Sequence, residues 1–281
     1  MACLRSIKKI KMIYDCFSYW DEDLLLDLRL NILNKIVDYF VIVEGNKTWQ
    51  NNSKELRFDI KKFQKFKDKI IYVPVTDLPD GDDPYLRENY QRNSISRGIN
   101  NAKDDDIILI SDLDEIPNPK VINNFSHKMR YASFKQMHFY YKFNLQSKNN
   151  PFWNGTRICV KKYLKSPQWL RNLKFKKRPF WRIDKFRLNN LIENGGWHFC
   201  NLKTPDNLLY KYKNLCETND PINFKEKIDE RFLNINEIEK RIIKGEDIIG
   251  RDDSFNKIPL DSLFPSYLIE NKDKYKDWID E

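Results

Sequence analysis

Two aspartates separated by one residue are the side chains of this chain best placed to hold a metal ion. Asp112 and Asp114 follow the apolar run 106–111, which has the length and composition of a buried, parallel strand. Ligands of open α/β sheets bind outside the carboxyl ends of such strands. Residues two apart in an extended segment point the same way, so both carboxylates can face one point. Hard oxygen ligands suit manganese or magnesium, which can share its other positions with a diphosphate.

A structural explanation of these acids is also open. Acidic residues are common between a strand and a helix, where they cap the helix and face the positive end of its dipole. In this sequence, however, Asn118 and Pro119 already have the pattern of a cap followed by proline at the first helical position. The acids precede that cap, so capping explains them poorly. On its own, an Asp-x-Asp pair fits a functional and a structural role equally well.

The elements that position these acids belong to an alternating pattern over residues 1–125. Strand, helix, strand, helix in sequence predicts parallel pairing with right-handed crossovers. Apolar runs predict strands at Ile10–Tyr14, Tyr39–Val43 and Ile70–Val75, and helical spacing predicts helices at Asp21–Leu33, Phe58–Phe66 and Pro84–Ile99.

Residues 126–281 have a different pattern. Strands are expected at Phe134–Phe143 and Arg157–Val160, with a polar loop between them that gives the sheet a mixed character. Helices are expected at Asn207–Leu215, Phe224–Phe232 and Ile235–Ile243, the last ending near Gly245. We therefore predict one α/β domain over 1–281, with a Rossmann-like mixed sheet of mostly parallel strands flanked by helices and a helical C-terminal region. Residues 1–125 are expected to form its nucleotide-binding half and residues 126–281 its acceptor-facing half.

Composition excludes some classes of protein and leaves others open. The 281 residues are 41% hydrophobic and 14% aromatic, which is enough for a core. The formal charge of +9 fits an anionic small molecule, an acidic membrane surface or a nucleic acid equally well. Five cysteines without C-x-x-C spacing argue against a disulfide framework and a structural zinc site.

The sequence also carries expectations about location. It has no apolar stretch that approaches the roughly 20 residues needed to span a bilayer, and the region Met1–Met12 lacks the apolar core of a signal peptide. We expect a soluble, cytoplasmic protein, with peripheral contact at a membrane as an alternative. The segment Arg171–Arg182 mixes cations with aromatic residues, a pattern found in nucleic-acid and lipid-headgroup sites, but a solvated basic face is favoured.

The motifs resemble those of glycosyltransferase family 17, which includes the bisecting β-1,4-N-acetylglucosaminyltransferases of N-glycan processing. Matching residues run in the family's order nearly from end to end. They are Tyr14 to Phe17, Glu22, Arg29, Val37 to Glu44, Thr48, Arg92 and Asn93, Ser111 to Pro117, Gly195 to His198, Arg241, Gly245, Arg251 and Leu263 to Tyr267. The resemblance implies a GT-A type fold, a nucleotide-sugar donor, a divalent metal and inversion at the sugar carbon.

The resemblance assigns expected roles to individual side chains. Asp112 and Asp114 match the metal motif, where manganese or magnesium neutralises the charge that builds on the leaving diphosphate. Glu44 is expected to contact the nucleoside and Arg92 the phosphates, although a surface position and an ion pair with Glu88 explain these two as well. Glu115, a candidate catalytic residue, either bonds a sugar or ribose hydroxyl or supports its loop.

Gly195, Gly196, Trp197 and His198 form the second informative stretch. Paired glycines let a backbone approach a ligand closely, Trp197 can stack on a sugar, and His198 can be a third metal ligand or hold the donor phosphates. The alternative is a glycine turn followed by a buried tryptophan and a histidine with ordinary partners.

An inverting transfer also needs a general base for the acceptor hydroxyl. Glu193, close to the glycines, is the first candidate, and Asp206 and Glu217 are the others.

The chain departs from the family at two points. We expect it to be without the membrane anchor and export signals of the animal members, and the segment Lys213–Asn219 lacks a histidine that the family usually has there. Acceptor recognition is the property that this second departure affects, so bisection of N-glycans does not follow from the resemblance.

The sequence thus predicts a metal-dependent, inverting glycosyltransferase. The expected donor is UDP-N-acetylglucosamine, and the expected acceptor is a glycan or a glycolipid, with no nucleic-acid partner. Two rivals remain open. Asp112 to Ile116 nearly fits the nucleophile loop of haloacid-dehalogenase-type phosphatases, although that loop follows the first strand of its fold. A basic binding module for nucleic acid or anionic surfaces is the non-enzymatic rival.

Overall fold

The computed structural model describes residues 11–175, 188, 190–216 and 228–280. Its strands in these residues are β1 (Ile13–Ser18), β2 (Tyr39–Gly45), β3 (Ile70–Val75), β4 (Ile107–Asp112), β5 (Glu115–Pro117), β6 (Tyr131–Tyr140), β7 (Leu145–Ser147), β8 (Phe152–Val160), β9 (Leu191–Cys200) and β10 (Phe255–Lys257). Its α-helices there are α1 (Asp23–Leu33), α2 (Pro84–Asn93), α3 (Ile95–Gly98), α4 (Pro119–Ile122), α5 (Pro167–Arg171), α6 (Pro205–Asn214), α7 (Ile235–Lys244) and α8 (Ser266–Glu270).

All ten strands belong to one mixed sheet. Its main order is β10-β7-β6-β8-β4-β1-β2-β3, and β9 pairs with β5 and β6. The neighbours β3, β2, β1 and β4 are parallel, as is β6 with β9. The pairs of β8 with β4 and β6, of β7 with β6 and β10, and of β5 with β9 are antiparallel. The predicted mixed α/β sheet is therefore confirmed, but the expectation of mostly parallel strands is not, because parallel pairing is confined to β1 to β4 and to the pair of β6 with β9.

The local predictions in the first half agree with the structure where hydrophobic spacing is regular. The predicted third strand has the observed bounds of β3, and the predicted first helix differs from α1 only at its start. The helix predicted at 58–66 is instead a 3₁₀ segment, Ile60–Lys69, with Phe63 and Phe66 buried. The helix predicted at 84–99 is divided into α2 and α3 at Ser94, whose hydroxyl donates to the Tyr90 carbonyl one turn earlier.

Apolar side chains form a core on each face of the sheet. Along β1, Phe17 packs with α1 on one face, while Tyr14 and Cys16 pack with Ile95 of α3 on the other. This alternation is the period of two that a strand imposes. A third cluster joins Tyr141 to α6 and α7 in the C-terminal region. Because helices cover both faces, the strands between them are buried and can hold charged groups rigidly at their ends.

The C-terminal elements agree in part with the prediction. Helix α7 ends at Gly245, which takes the left-handed conformation expected there. Of the helix predicted at 224–232, residues 224–227 lie outside the described residues, and Glu230–Phe232 forms a short 3₁₀ helix. Within the described part of the chain, no helix combines the length and the apolar composition that crossing a bilayer requires.

Candidate active site

Arg29 of α1 fixes the loop that carries the acidic residues. Its guanidinium is fully buried and donates to both carboxylate oxygens of Asp15 on β1, at 2.6 and 2.7 Å. Its remaining hydrogen bonds go to the Ser111 hydroxyl at 2.6 Å and to the carbonyls of Asp112, Leu113 and Glu115 at 2.9–3.1 Å. One cation thus holds three backbone carbonyls within four residues, which sets the direction of the side chains that follow β4.

Asp112 and Asp114 line the same open cavity of about 770 Å³. The Asp112 carboxylate is 40% exposed and accepts from Arg92 at 3.1 Å and from Arg171 at 2.7 Å. Asp114 Oδ1 lies 3.4 Å from Nε2 of His198. The structure therefore brings together the two predicted aspartates, Arg92 and His198, which also line this cavity.

The charges around the aspartates keep both ionised. Burial by itself would raise the pKa of Asp112, but the cations of Arg171 and Arg92 and the nearby His198 outweigh it and lower that pKa. Burial also opposes ionisation of Asp114, and His198 together with Lys211 lowers its pKa. For His198 burial is again outweighed, here by Cys200 and Asp114, so its pKa is raised. Two carboxylates and an imidazole thus form one coupled group.

Glu115 supports the loop and does not line the cavity. Its carboxylate is buried and accepts two hydrogen bonds from Arg171, at 2.6 and 2.7 Å. The indole Nε1–H of Trp153 donates to the same carboxylate at 2.7 Å, and the Asp112 amide donates to it at 3.3 Å. These partners occupy both oxygens. The contacts match the supporting role that the sequence left open for Glu115.

The stretch from Gly195 to His198 is part of strand β9, where the sequence suggested a turn. Ile116 of β5 pairs with Trp197, and Pro117 pairs with Gly196. Gly196 has φ +127°, and a Cβ on it would lie 2.2 Å from the Ile116 carbonyl oxygen. Its lack of a side chain is therefore needed for packing against β5.

The other residues of this stretch differ in whether they line the cavity. A Cβ on Gly195 would lie 2.7 Å from the backbone nitrogen of Lys135 on β6. Trp197 is buried and its Nε1–H donates to the Leu263 carbonyl at 2.8 Å. Neither these two nor Gly196 lines the cavity, whereas His198 does. Their predicted donor contacts therefore stay predictions without geometric support.

The site offers two sets of potential metal ligands, the carboxylates of Asp112 and Asp114 and the group of His138, His198 and Cys200. The two carboxylates offer the oxygen donors that manganese or magnesium prefers. Among the described residues, the one group of three potential ligand atoms within 4.8 Å of one another is His138, His198 and Cys200. Their imidazoles are stacked, with centroids 4.7 Å apart and planes 2° apart. In-plane lone pairs of two parallel rings do not converge on one ion, so Asp112 and Asp114 fit the predicted metal better.

Glu44 and Arg92 have different positions relative to the cavity. Glu44 is fully buried at the end of β2 and accepts from the Lys54 ammonium, two backbone amides and the Tyr72 hydroxyl. It organises the loop that follows β2 and does not line the cavity. Arg92 lines the cavity and forms both the anticipated pair with Glu88, at 2.8 Å, and the pair with Asp112.

Glu193 and Asp206, two of the three candidate general bases from the sequence, lie away from the cavity. Glu193 is 63% exposed and pairs with Lys135 at 3.1 Å. Asp206 is exposed in the first turn of α6. Neither contributes to the cavity lining. Glu217, like residues 176–182 of the basic and aromatic segment, lies outside the described residues.

Several cavity residues were not found from the sequence. Trp20 and Trp49 lie beyond the ends of β1 and β2, with ring centroids 5.8 Å apart. His138 of β6 and Trp153 of β8 line the opposite side, and Lys211 of α6 contributes a cation. Gln136, His138 and Tyr140 recur at every second position of β6, and this spacing was a usable signal for His138, because every second residue of a strand shares one face.

Comparisons with known proteins agree with the motifs. The family model for glycosyltransferase family 17 matches residues 3–279. The chain is 24% identical over 286 residues to the β-1,4-mannosyl-glycoprotein 4-β-N-acetylglucosaminyltransferase of Rattus norvegicus, covering 90% of this chain and 51% of that protein. The protein of the same name from Homo sapiens is 24% identical over 290 residues, covering 91% and 52%. The chain thus spans about half the length of the curated relatives it matches. Since the family model covers nearly all of the sequence, this chain belongs to glycosyltransferase family 17.

Proposed function

We propose that this chain is an inverting, metal-dependent glycosyltransferase. It transfers N-acetylglucosamine from UDP-N-acetylglucosamine, in β linkage, to a hydroxyl of a glycan or glycolipid. The observation that carries the proposal is that Asp112 and Asp114, at the carboxyl end of β4, line one cavity together with Arg92. The matched relatives from rat and human are named as transferases of this sugar to a mannosyl glycoprotein, which supports the choice of sugar.

The donor's nucleoside fits the β1 side of the cavity. Ser18 is in register with Asp112, so the residues that follow β1 lie directly beside the acids. Trp20 and Trp49 there offer aromatic faces for a base. Their position leaves the diphosphate next to Arg92, whose Nε has no partner among the described residues.

Asp112 and Asp114 are the residues proposed to hold the divalent cation. When bound, that cation neutralises negative charge on the leaving UDP. In the present geometry Arg92 and Arg171 both engage Asp112. Arg92, which lines the cavity, is available to phosphate oxygens when the carboxylate turns to a metal. For the general base, the carboxylates that line the cavity are the alternatives to Glu193, and they include Glu22, Glu88 and Asp229.

The decisive experiment replaces the two acids by isosteric amides. Asp112→Asn and Asp114→Asn should each lower kcat for transfer and for hydrolysis of UDP-N-acetylglucosamine by about 10²–10³-fold, because each removes a charge from the metal site. Asp82→Asn, on an exposed residue that does not line the cavity, is the matched control and should leave kcat unchanged. Thermal unfolding of all three variants checks the fold. Transfer at the wild-type rate in either variant of the pair would refute the metal site.

A binding screen separates this function from its rivals. Thermal stability is measured with UDP, GDP and CDP, each with and without Mn²⁺. A sugar transferase that uses UDP should be stabilised by UDP only when the metal is present. A phosphatase should instead form a covalent phospho-Asp112 analogue with fluoride complexes. A basic binding module should show metal-independent binding that weakens steeply with salt.

A further inference from the structure

We infer that Trp153 is a stacking surface for a pyranose ring, at the end of the cavity opposite the nucleoside side. This inference rests on the proposed sugar transfer and adds a substrate-binding residue that the sequence did not reveal. The region is called the aromatic floor and consists of His138, Tyr140, Trp153 and His198.

The sheet builds the aromatic floor from three neighbouring strands. Trp153 of β8 lies opposite Gln136 of β6, and His138, two residues further along β6, lies opposite His198 of β9. Residues two apart share a face, so these rings lie on the same side of the sheet. The indole centroid lies 5.6 Å from that of His138 and 5.4 Å from that of His198. Tyr140 continues the surface at 4.6 Å from His138.

Trp153 is held rigidly and still available to a ligand. Its Nε1–H bonds Glu115, which Arg171 fixes with two hydrogen bonds. The two imidazoles lie against one part of its ring, yet the residue remains 42% exposed and lines the cavity. An oriented aromatic side chain with a free face is suited to the apolar C–H face of a sugar, and its fixed orientation lowers the entropy cost of binding.

Phe152, the preceding residue, provides a contrast. It is 51% exposed, but it points to the other side of the sheet, and among the described residues it is not part of the cavity lining. Lys135 Nζ lies 4.7 Å from its ring centroid. Two adjacent exposed aromatic residues therefore differ in the one property that matters, access to the cavity.

The order of strands relates the aromatic floor to the acids. Strand β4, which ends at Asp112, lies between β1 on one side and β8 on the other. A diphosphate held at Asp112 and Asp114 thus separates a nucleoside beside Trp20 from a sugar beside Trp153. The pyranose ring that stacks on Trp153 is either the transferred sugar of the donor or a sugar of the acceptor. Both present a C–H face.

The test compares four variants. Trp153→Leu and Trp153→Ala remove the aromatic face and should raise KM for one sugar substrate about tenfold. Trp153→Phe retains a face but loses the bond to Glu115, and it should stay within about threefold of wild type. Phe152→Ala is the matched control and should leave both KM values unchanged. Thermal unfolding monitors the fold, and Trp153→Leu preserves bulk if the alanine variant does not fold.

Two kinetic measurements show whether the stacked pyranose ring belongs to the donor or to the acceptor. A higher KM for UDP-N-acetylglucosamine in hydrolysis without acceptor, at unchanged affinity for UDP, assigns the transferred sugar. A higher KM for the acceptor glycan alone assigns the acceptor. Wild-type KM values in Trp153→Leu overturn the inference. So does equal impairment of Trp153→Phe and Trp153→Leu, because that result assigns Trp153 to positioning Glu115.

One measurement remains valid if the proposed reaction is wrong. Saturation-transfer NMR with methyl N-acetylglucosaminide reports binding of the ring itself, whether or not wild-type protein transfers sugar from UDP. A signal in wild type and Phe152→Ala that is lost in Trp153→Leu supports the stacking surface independently of catalysis. The same signal in all three proteins contradicts it.

Discussion

The acid loop, Asp112–Glu115, and the glycine strand, Asn194–His198, face each other across one short strand pairing but use their residues differently. In the acid loop, the buried Arg29 cation holds the backbone and two carboxylates line the cavity. In the glycine strand, most residues serve packing: Gly196 fits against β5, Trp197 is buried, and only His198 lines the cavity. Neighbouring residues that all suggest function from their sequence thus differ in the structure: some line the cavity, and the others hold the backbone in place.

The contrast has a physical origin in how each segment is stabilised. The acid loop depends on charge, since Arg29 pairs with Asp15 and Arg171 pairs with Asp112 and Glu115. The glycine strand depends on the close approach of three backbones, with the Phe199 amide donating to the Asp114 carbonyl at 2.9 Å. Substitutions in the two segments should therefore fail for different reasons.

The largest effect is expected from removal of the Arg29 guanidinium, which holds the acid loop. Arg29→Met leaves the Asp15 carboxylate buried without its partner, and this should lower the free energy of unfolding by about 3–5 kcal/mol. Urea denaturation measures the change. The double variant Asp15→Asn with Arg29→Met should recover part of the loss, because it removes the unpaired charge as well. A single variant as stable as wild type would show that the loop does not depend on this pair.

An intermediate loss of stability is expected when one methyl group is added to the glycine strand. Gly196→Ala should destabilise the protein by roughly 1–3 kcal/mol, because its positive φ and the nearby Ile116 carbonyl both oppose a Cβ. Gly81→Ala is the control. Gly81 has φ +121°, and a Cβ on it would meet no described atom within 4 Å, so this variant reports the backbone term alone. Equal losses in the two variants would contradict the proposed close packing of β9 on β5.

The smallest effect is expected just outside the glycine strand. Glu193→Gln should leave kcat within about twofold of wild type, since the carboxylate is exposed and its pair with Lys135 is a weak surface interaction. A kinetic profile across pH, with donor and acceptor saturating, measures this. A loss of kcat by two orders of magnitude would restore Glu193 as the general base and would require β9 to move toward the cavity.

The sequence by itself determined the elements whose signals are local. Regular apolar spacing gave α1, β3 and the strand before the acids, and Asn118 caps α4 through Lys120 as its pattern predicted. The position of Asp112 and Asp114 at a strand end followed from the same kind of signal. These features depend on neighbours within one turn or one strand, so the chain encodes them without reference to distant residues.

Only the tertiary structure decided which side chains share the cavity. Arg171, 56 residues later in the chain, binds the buried Glu115 carboxylate, which does not line the cavity. Trp153 meets His138 and His198 because β8 and β9 flank β6. The glycines obscured β9 as a strand, since their backbone suits a turn equally well and the pairing with β5 and β6 is made by residues far away in sequence. Such pairings depend on the whole fold, and no local pattern specifies them.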